Sequence, residues 1–141
     1  MPSVEFRTRE SLVEIARDWV EMLASGDLTR WDELADDALV MEAPFTPPGL
    51  FTEQRGSAQC KAMVESFLVA MASFAWHDIV IHATDDPELA FGTARSTATA
   101  VNGMSYANRY CYTVRIRDGK VVAYTEYFNP LPVMKAFGLT A

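Results

Sequence analysis

Along this 141-residue chain the spacing of apolar positions changes from a helical period to an alternating one. From about Thr8 to Ser25 they fall at Leu12, Ile15, Ala16, Trp19, Val20, Met22 and Leu23, the three-to-four spacing of an amphipathic helix. Ser11-x-x-Glu14 supplies a capping box, and Gly26 an end. Asp27 predicts the cap of a short second helix, Leu28 to Leu34, with Trp31 and Leu34 facing inward; a strand follows from Ala38 to Glu42. Pro44 to Phe51 holds three prolines and a glycine and reads as a loop, yet its Phe45, Leu50 and Phe51 require it to cover something. Ser57 predicts the cap of a third helix to about Ala72, with Cys60, Met63, Val64, Phe67, Leu68 and Met71 on one stripe.

After that the pattern alternates. Phe74 to Ala83, Leu89 to Val101, Ser105 to Arg117 and Lys120 to Asn129 read as strands, and Pro130 to Phe137 as a terminal helix. Asp118-Gly119 between two aromatic and β-branched runs predicts a hairpin, because a type I′ turn needs positive φ at both central residues. Period two places Val122, Tyr124, Glu126 and Phe128 on one face of the last strand, so a carboxylate shares a side with large apolar groups. Such a charge is costly unless it is paired, hydrogen-bonded or used. Helices first and long strands after predict an α+β fold, with helices against one face of a strongly curved sheet. The other face, carrying Val121, Ala123, Thr125 and Tyr127 beside Cys111, Thr113, Arg109 and Arg115, is too apolar for a simple solvated surface, and a homodimer is expected there.

Composition narrows the class. A chain of this length is most simply one domain, residues 1–141, and its 50 % hydrophobic and 22 % charged content is that of a folded protein. A net charge of −7 argues against nucleic acid or an anionic membrane as partner. The start, Met1 to Phe6, has no basic region followed by an apolar one, and no apolar run approaches a bilayer span, so a soluble cytoplasmic protein is expected. Cys60 and Cys111 lack metal-ligand spacing and read as buried small apolar residues. His77 and His82 have opposite parity on one strand and are expected on opposite faces, which leaves no metal site; no cofactor motif is visible.

The helix, the short helix ending Ala35-Asp36-Asp37-Ala38, the Pro-rich loop and third helix, then Asn108-Arg109-Tyr110, Arg117-Asp118-Gly119-Lys120-Val121 and Glu126-Tyr127-Phe128-Asn129-Pro130, together resemble the nuclear transport factor two-like superfamily. The resemblance implies a cone-shaped curved mixed sheet wrapped around the N-terminal helices, closed by a short C-terminal helix. SnoaL-like polyketide cyclases, ketosteroid isomerases, limonene epoxide hydrolases and the phenazine-biosynthesis A/B proteins are the relatives it suggests. By that resemblance Glu42 stands at the isomerases' base position, Trp19 and Tyr112 stand at their oxyanion donors, and Glu126 and Arg95 at the Asp and Arg of the epoxide hydrolases. Thr97 stands where those hydrolases have a second Asp. The hairpin is most similar to the phenazine proteins, whose pocket Glu corresponds to Glu126.

These registers imply a cavity containing Glu42, Arg95, Asn108, Tyr110, Tyr112, Glu126 and Phe128, lined by Trp19, Met22, Trp76 and Phe45. The implied function is binding of a hydrophobic, cyclic small molecule, with cofactor-independent isomerisation or cyclisation by Glu126 or Glu42 as base and Tyr110, Tyr112 or Asn108 as donors to an enolate oxygen. The alternatives are a non-catalytic carrier, epoxide-hydrolase-like water addition, and an interaction module with a solid core. Arg95 is expected to discriminate: clamped on Glu126, it lowers the carboxylate pKa, whereas burial without it raises the pKa.

Overall fold

The computed structural model describes residues 4–138, with side chains from Arg9 onward. Met1-Pro2-Ser3, part of the stretch read for a leader, lies outside the described residues. The chain runs α1 (Val4–Ser25), α2 (Trp31–Leu34), β1 (Ala35–Glu42), β2 (Glu53–Arg55), α3 (Ser57–Val69), β3 (Met71–Ala83), β4 (Leu89–Ala100), β5 (Ser105–Arg117), β6 (Lys120–Phe128) and α4 (Pro130–Ala136). The strands form a curled six-stranded sheet in the order β2-β1-β6-β5-β4-β3, with β1 parallel to β6 and every other pair antiparallel. This is the mixed α+β architecture expected, with one short edge strand, β2, that the Pro-rich composition before it concealed.

α1 buries Leu12, Ala16, Trp19, Val20 and Leu23 on one stripe against the concave side of the sheet. It begins at Val4, so Ser11 lies inside the helix rather than at its cap. Gly26, at φ +75, ends it with its N–H on Met22 O. Asp27 accepts the Thr29 N–H and holds the turn before α2, which starts only at Trp31. Trp31 and Leu34 are buried as expected, and the Trp31 indole donates to Ser57 Oγ at 2.9 Å. Ser57 therefore ties α2 to α3, while Gly56 occupies the N-cap without a side-chain bond.

Asp118 and Gly119 have φ values of 52 and 77, so the predicted type I′ turn joins β5 to β6. Two irregularities then change which side chains face inward. Between Arg115 and Ile116 the pairing with β6 slips by one residue, so Val121 enters the core opposite Ile116 instead of lying on the outer face. On β3, Asp78 at φ 55 inserts a bulge between His77 and Val80. His77, Val80 and His82 consequently pair with Arg95, Thr93 and Phe91 on the outer face, correcting the expectation that the histidines lie on opposite faces. Cys60 is buried but Cys111 is exposed, on the outer side of β5.

At the open end of the sheet Asn129 caps α4 by accepting the Leu131 N–H, with Pro130 in the first turn. Val133 and Ala136 of α4 pack with Met71, Ala100 and Tyr106, closing that end. No described helix is long and apolar enough to cross a membrane.

Candidate functional site

Between the sheet, α1, α3, α4 and the Pro-rich loop lies a cavity of about 360 Å³, within the range of small-molecule sites. Leu23, Met63, Val64, Phe67, Phe74 and Trp76 make much of its wall apolar, and Thr46, Leu50 and Phe51 of the loop reach its rim. That is what the loop covers. Phe45 does not join them, because its ring packs edge-on against Tyr127 outside the sheet, centroids 5.4 Å apart.

Glu126 is the acid of this cavity. The β6 alternation that carries Tyr124 and Phe128 inward carries it too, and Tyr124 donates to its Oε1 at 2.8 Å. Among the described residues no cation pairs with it. Apolar walls strip the carboxylate of water and push its pKa up to about 7, the Tyr124 bond acting the other way. Tyr124 itself, buried beside this acid, keeps its proton far above the usual phenol range.

Beside the acid is a hydroxyl cluster. Tyr110 stacks on Trp76, with ring centroids 4.7 Å apart and planes at 10°, and its hydroxyl lies 2.8 Å from Ser96 Oγ and 3.2 Å from the Tyr106 hydroxyl. Tyr110, Tyr106, Trp76 and Phe128 all line the cavity. Tyr106 and Ser96 were not among the residues singled out from sequence. Alternation along β5 from Tyr110 and Tyr112 reaches Tyr106, and the β4–β5 register places Ser96 opposite Asn108.

The remaining candidates lie elsewhere. Arg95 is on the outer face of β4, its side chain 46 % exposed and its Nε 2.7 Å from Asp78 Oδ2, because β4 turns Ser96 inward. Glu42 pairs with Thr125 while Met41 pairs with Tyr124, so Met41 faces the cavity and Glu42 the opposite side. Thr97 also faces outward, against His77 at 2.8 Å. Trp19 and Met22 are core residues of α1, whose Leu23 is the side chain that reaches the cavity. Tyr112 is fully buried over Gly92, and its hydroxyl donates toward Val80 O at 3.2 Å and Thr93 O at 3.3 Å, serving the β3 bulge rather than the cavity. Asn108 is a buried clamp between β5 and the start of α4, bonded to Asn129 through both ends of its amide. No three His, Cys, Asp or Glu side chains converge as a metal site among the described residues.

A curled mixed sheet closed by helices over an apolar cavity with one desolvated acid defines a class of small α+β proteins. The chain belongs to the SnoaL-like domain family, whose sequence profile matches residues 16–124. A PhzA/B-like protein of Pseudomonas aeruginosa is 31% identical over 126 residues, 89% of each chain. A Bacillus subtilis protein solved under the designation "Putative Isomerase" superposes with a TM-score of 0.80 at 26% identity, covering 98% of both chains. A phenazine biosynthesis-related protein of Pseudomonas aeruginosa shares the fold at 19% identity, with a TM-score of 0.76 over 96% of this chain and 93% of that one.

Proposed function

We propose that this chain binds a hydrophobic, cyclic small molecule in its cavity and isomerises or cyclises it by acid/base chemistry, with Glu126 moving the proton. The observation that carries the reading is the state of Glu126: a carboxyl in an apolar cavity, without a cation among the described residues, whose pKa of about 7 suits both taking and returning a proton near neutrality. A carrier needs no such group. Water addition in the manner of an epoxide hydrolase is not favoured, since Arg95 is paired with Asp78 outside the sheet. An interaction module with a solid core is not favoured by a cavity of about 360 Å³.

The test is deuterium exchange from solvent into a panel of cyclic ketones, followed by NMR. The protein should exchange protons beside the carbonyl in the members it binds, and Glu126→Gln should bind them without exchange. Equal exchange by both proteins would sink the assignment. Binding without exchange by the unaltered protein would leave the carrier reading standing.

A second copy of the chain is proposed to cover the outer sheet face. Val80, Phe91 and Tyr127 are 42 %, 38 % and 39 % exposed there, beside Thr93 and Thr125, and burying these large apolar side chains against a partner supports the reading.

A further inference from the structure

The cavity is one-sided in charge. Among the described residues that line it, Glu126 is the one ionisable side chain besides the phenols, and no Lys, Arg or His reaches the wall. An anionic ligand would meet a carboxylate there and no counter-charge. The phenol hydroxyls already have protein partners: Tyr124 donates to Glu126, Tyr110 bonds to Ser96 and Tyr106, and Tyr106 accepts from Asn108 Nδ2 at 3.0 Å. What these tyrosines chiefly offer a ligand is ring surface.

The rings form a continuous array along the wall. Phe67 of α3 meets Phe74 of β3 with centroids 5.4 Å apart and planes at 85°, and Phe74 lies 6.3 Å from Trp76 at 60°. Trp76 stacks on Tyr110, which in turn meets Phe128 at 6.3 Å and 66°. The ring normals therefore point in several directions, as in a box rather than a single stack. Each face carries the negative end of the ring quadrupole and attracts a cation that comes within about 6 Å of its centroid. Phe128 is two residues from Glu126 on the inner side of β6, so the array ends at the carboxylate.

We propose that the cavity selects a hydrophobic ring system carrying one positive charge, an amine or quaternary ammonium, with that charge held between Glu126 and the faces of Trp76 and Phe128. The assignment rests on the proposed use of the cavity for a small molecule and names that molecule's charge. A neutral apolar ligand would be served as well by aliphatic walls and needs no acid beside it. The chain's net charge of −7 also favours the approach of a cation.

Near neutrality Glu126 is the cavity group whose charge changes. Burial holds Tyr106, Tyr110 and Tyr124, and Tyr112 behind them, in the protonated form, and among the described residues α1, α3, α4, β1 and β3 bring no titratable side chain to the lining. A bound cation favours the carboxylate, and by linkage the carboxylate favours the cation to the same degree. The ligand thus keeps Glu126 in the form that can accept a proton.

The test compares benzyltrimethylammonium, whose charge does not titrate, with neopentylbenzene, its uncharged carbon counterpart of the same shape. Binding is followed by NMR titration at pH 6 and pH 8 at constant ionic strength. The cation should bind about five- to tenfold more tightly at pH 8, as Glu126 ionises, and the hydrocarbon should show no such gain. Glu126→Gln should remove the pH response and weaken the cation at least about tenfold at pH 8, with hydrocarbon binding retained. Trp76→Leu and Phe128→Leu, made singly, should each weaken the cation about two- to thirtyfold and the hydrocarbon by less.

A cation that fails to bind where the hydrocarbon binds overturns the proposal and leaves the small-molecule reading of the cavity standing. The proposal is also overturned by equal cation affinity at the two pH values, by a pH response that survives Glu126→Gln, or by losses in both ring variants that are equal for the two probes. Failure of both probes to bind overturns it as well, while ketone exchange judges the acid/base reading separately. If a ring variant loses hydrocarbon binding, the pH comparison between the parent and Glu126→Gln decides.

Discussion

Tyr124 donates its phenolic proton to Glu126 from two residues upstream on the same strand, at 2.8 Å, so the cavity acid is held by its own strand rather than by a cation. The pair follows from alternation: residues i and i+2 of β6 face the same way, and the long phenol reaches along the strand to the shorter carboxylate. The bond holds the carboxylate in place without restoring the solvation that burial removes, which is why the pKa stays near 7.

Replacing Tyr124 by Phe deletes the hydrogen bond that lowers the Glu126 pKa. The expected outcome is a further rise of about one unit, read by ¹³C NMR titration of a labelled glutamate side chain. A fall in the Glu126 pKa would contradict the geometry.

Stability should decrease as pH rises from about 4.5 to about 7. Folding raises the Glu126 pKa from 4.5 to about 7, so the folded state binds the proton more tightly than the unfolded one. The resulting stability is fully present below the lower value and is lost as pH climbs through the upper one. Its size is about 3 kcal/mol. Glu126→Gln should flatten this part of the profile in urea unfolding at pH 5 and pH 8, and an unchanged slope would refute the shift.

Gly92 sits opposite the β3 bulge, where an added Cβ would lie 2.4 Å from Val80 O and 2.5 Å from the Tyr112 ring. Gly92→Ala is expected to cost about 1–3 kcal/mol by overpacking, toward the upper end because a backbone atom is in the way. Denaturant midpoints check this. Stability equal to the parent would mean that the β3–β4 contact relaxes freely.

Arg95→Ala removes an exposed pair with Asp78 and nothing from the cavity. Its expected effect is an unchanged Glu126 titration and an unchanged thermal midpoint, since exposed ion pairs contribute little. A shifted Glu126 pKa would show that Arg95 acts across the sheet.

Tyr127→Glu puts charge into the centre of the apolar outer face, where Phe45 and Tyr127 pack together. If copies associate there, sedimentation should show a dimer for the parent chain and a monomer for the variant. A parent that sediments as a monomer would remove the second copy from the picture.

Much of the fold was legible in the chain itself, because local rules suffice for it. The Leu12-to-Leu23 stripe specifies a helix, Asp118-Gly119 specifies the hairpin turn, and alternation along the end of β6 specifies that Tyr124, Glu126 and Phe128 share a side, whereas Val122, expected with them, is the extra residue of the slip beside Ile116. These residues were placed correctly because each depends on neighbours a few positions away.

What failed locally was face assignment across bulges and between strands. The extra residue at Asp78 brings His77 and His82 to one face, and the slip beside Ile116 draws Val121 into the core. Such insertions reverse parity without a sequence mark that alternation can read. Arg95 and Glu42 were misplaced for a related reason. Their direction depends on the register of β4 with β5 and of β1 with β6, which non-local pairing sets and a one-residue change inverts.

The sequence by itself thus determined that an acid would sit among aromatic groups on the inner side of the last strand. Only the tertiary structure decided that the acid has no cation among the described residues, that Asn108 and Tyr112 are committed to backbone partners, and that Tyr106 and Ser96 complete the hydroxyl cluster. The reason is that a charge's state depends on what surrounds it in space. For Glu126 those surroundings come from α1, α3, α4, the Pro-rich loop and four strands, β1, β3, β5 and β6, segments far apart in the chain.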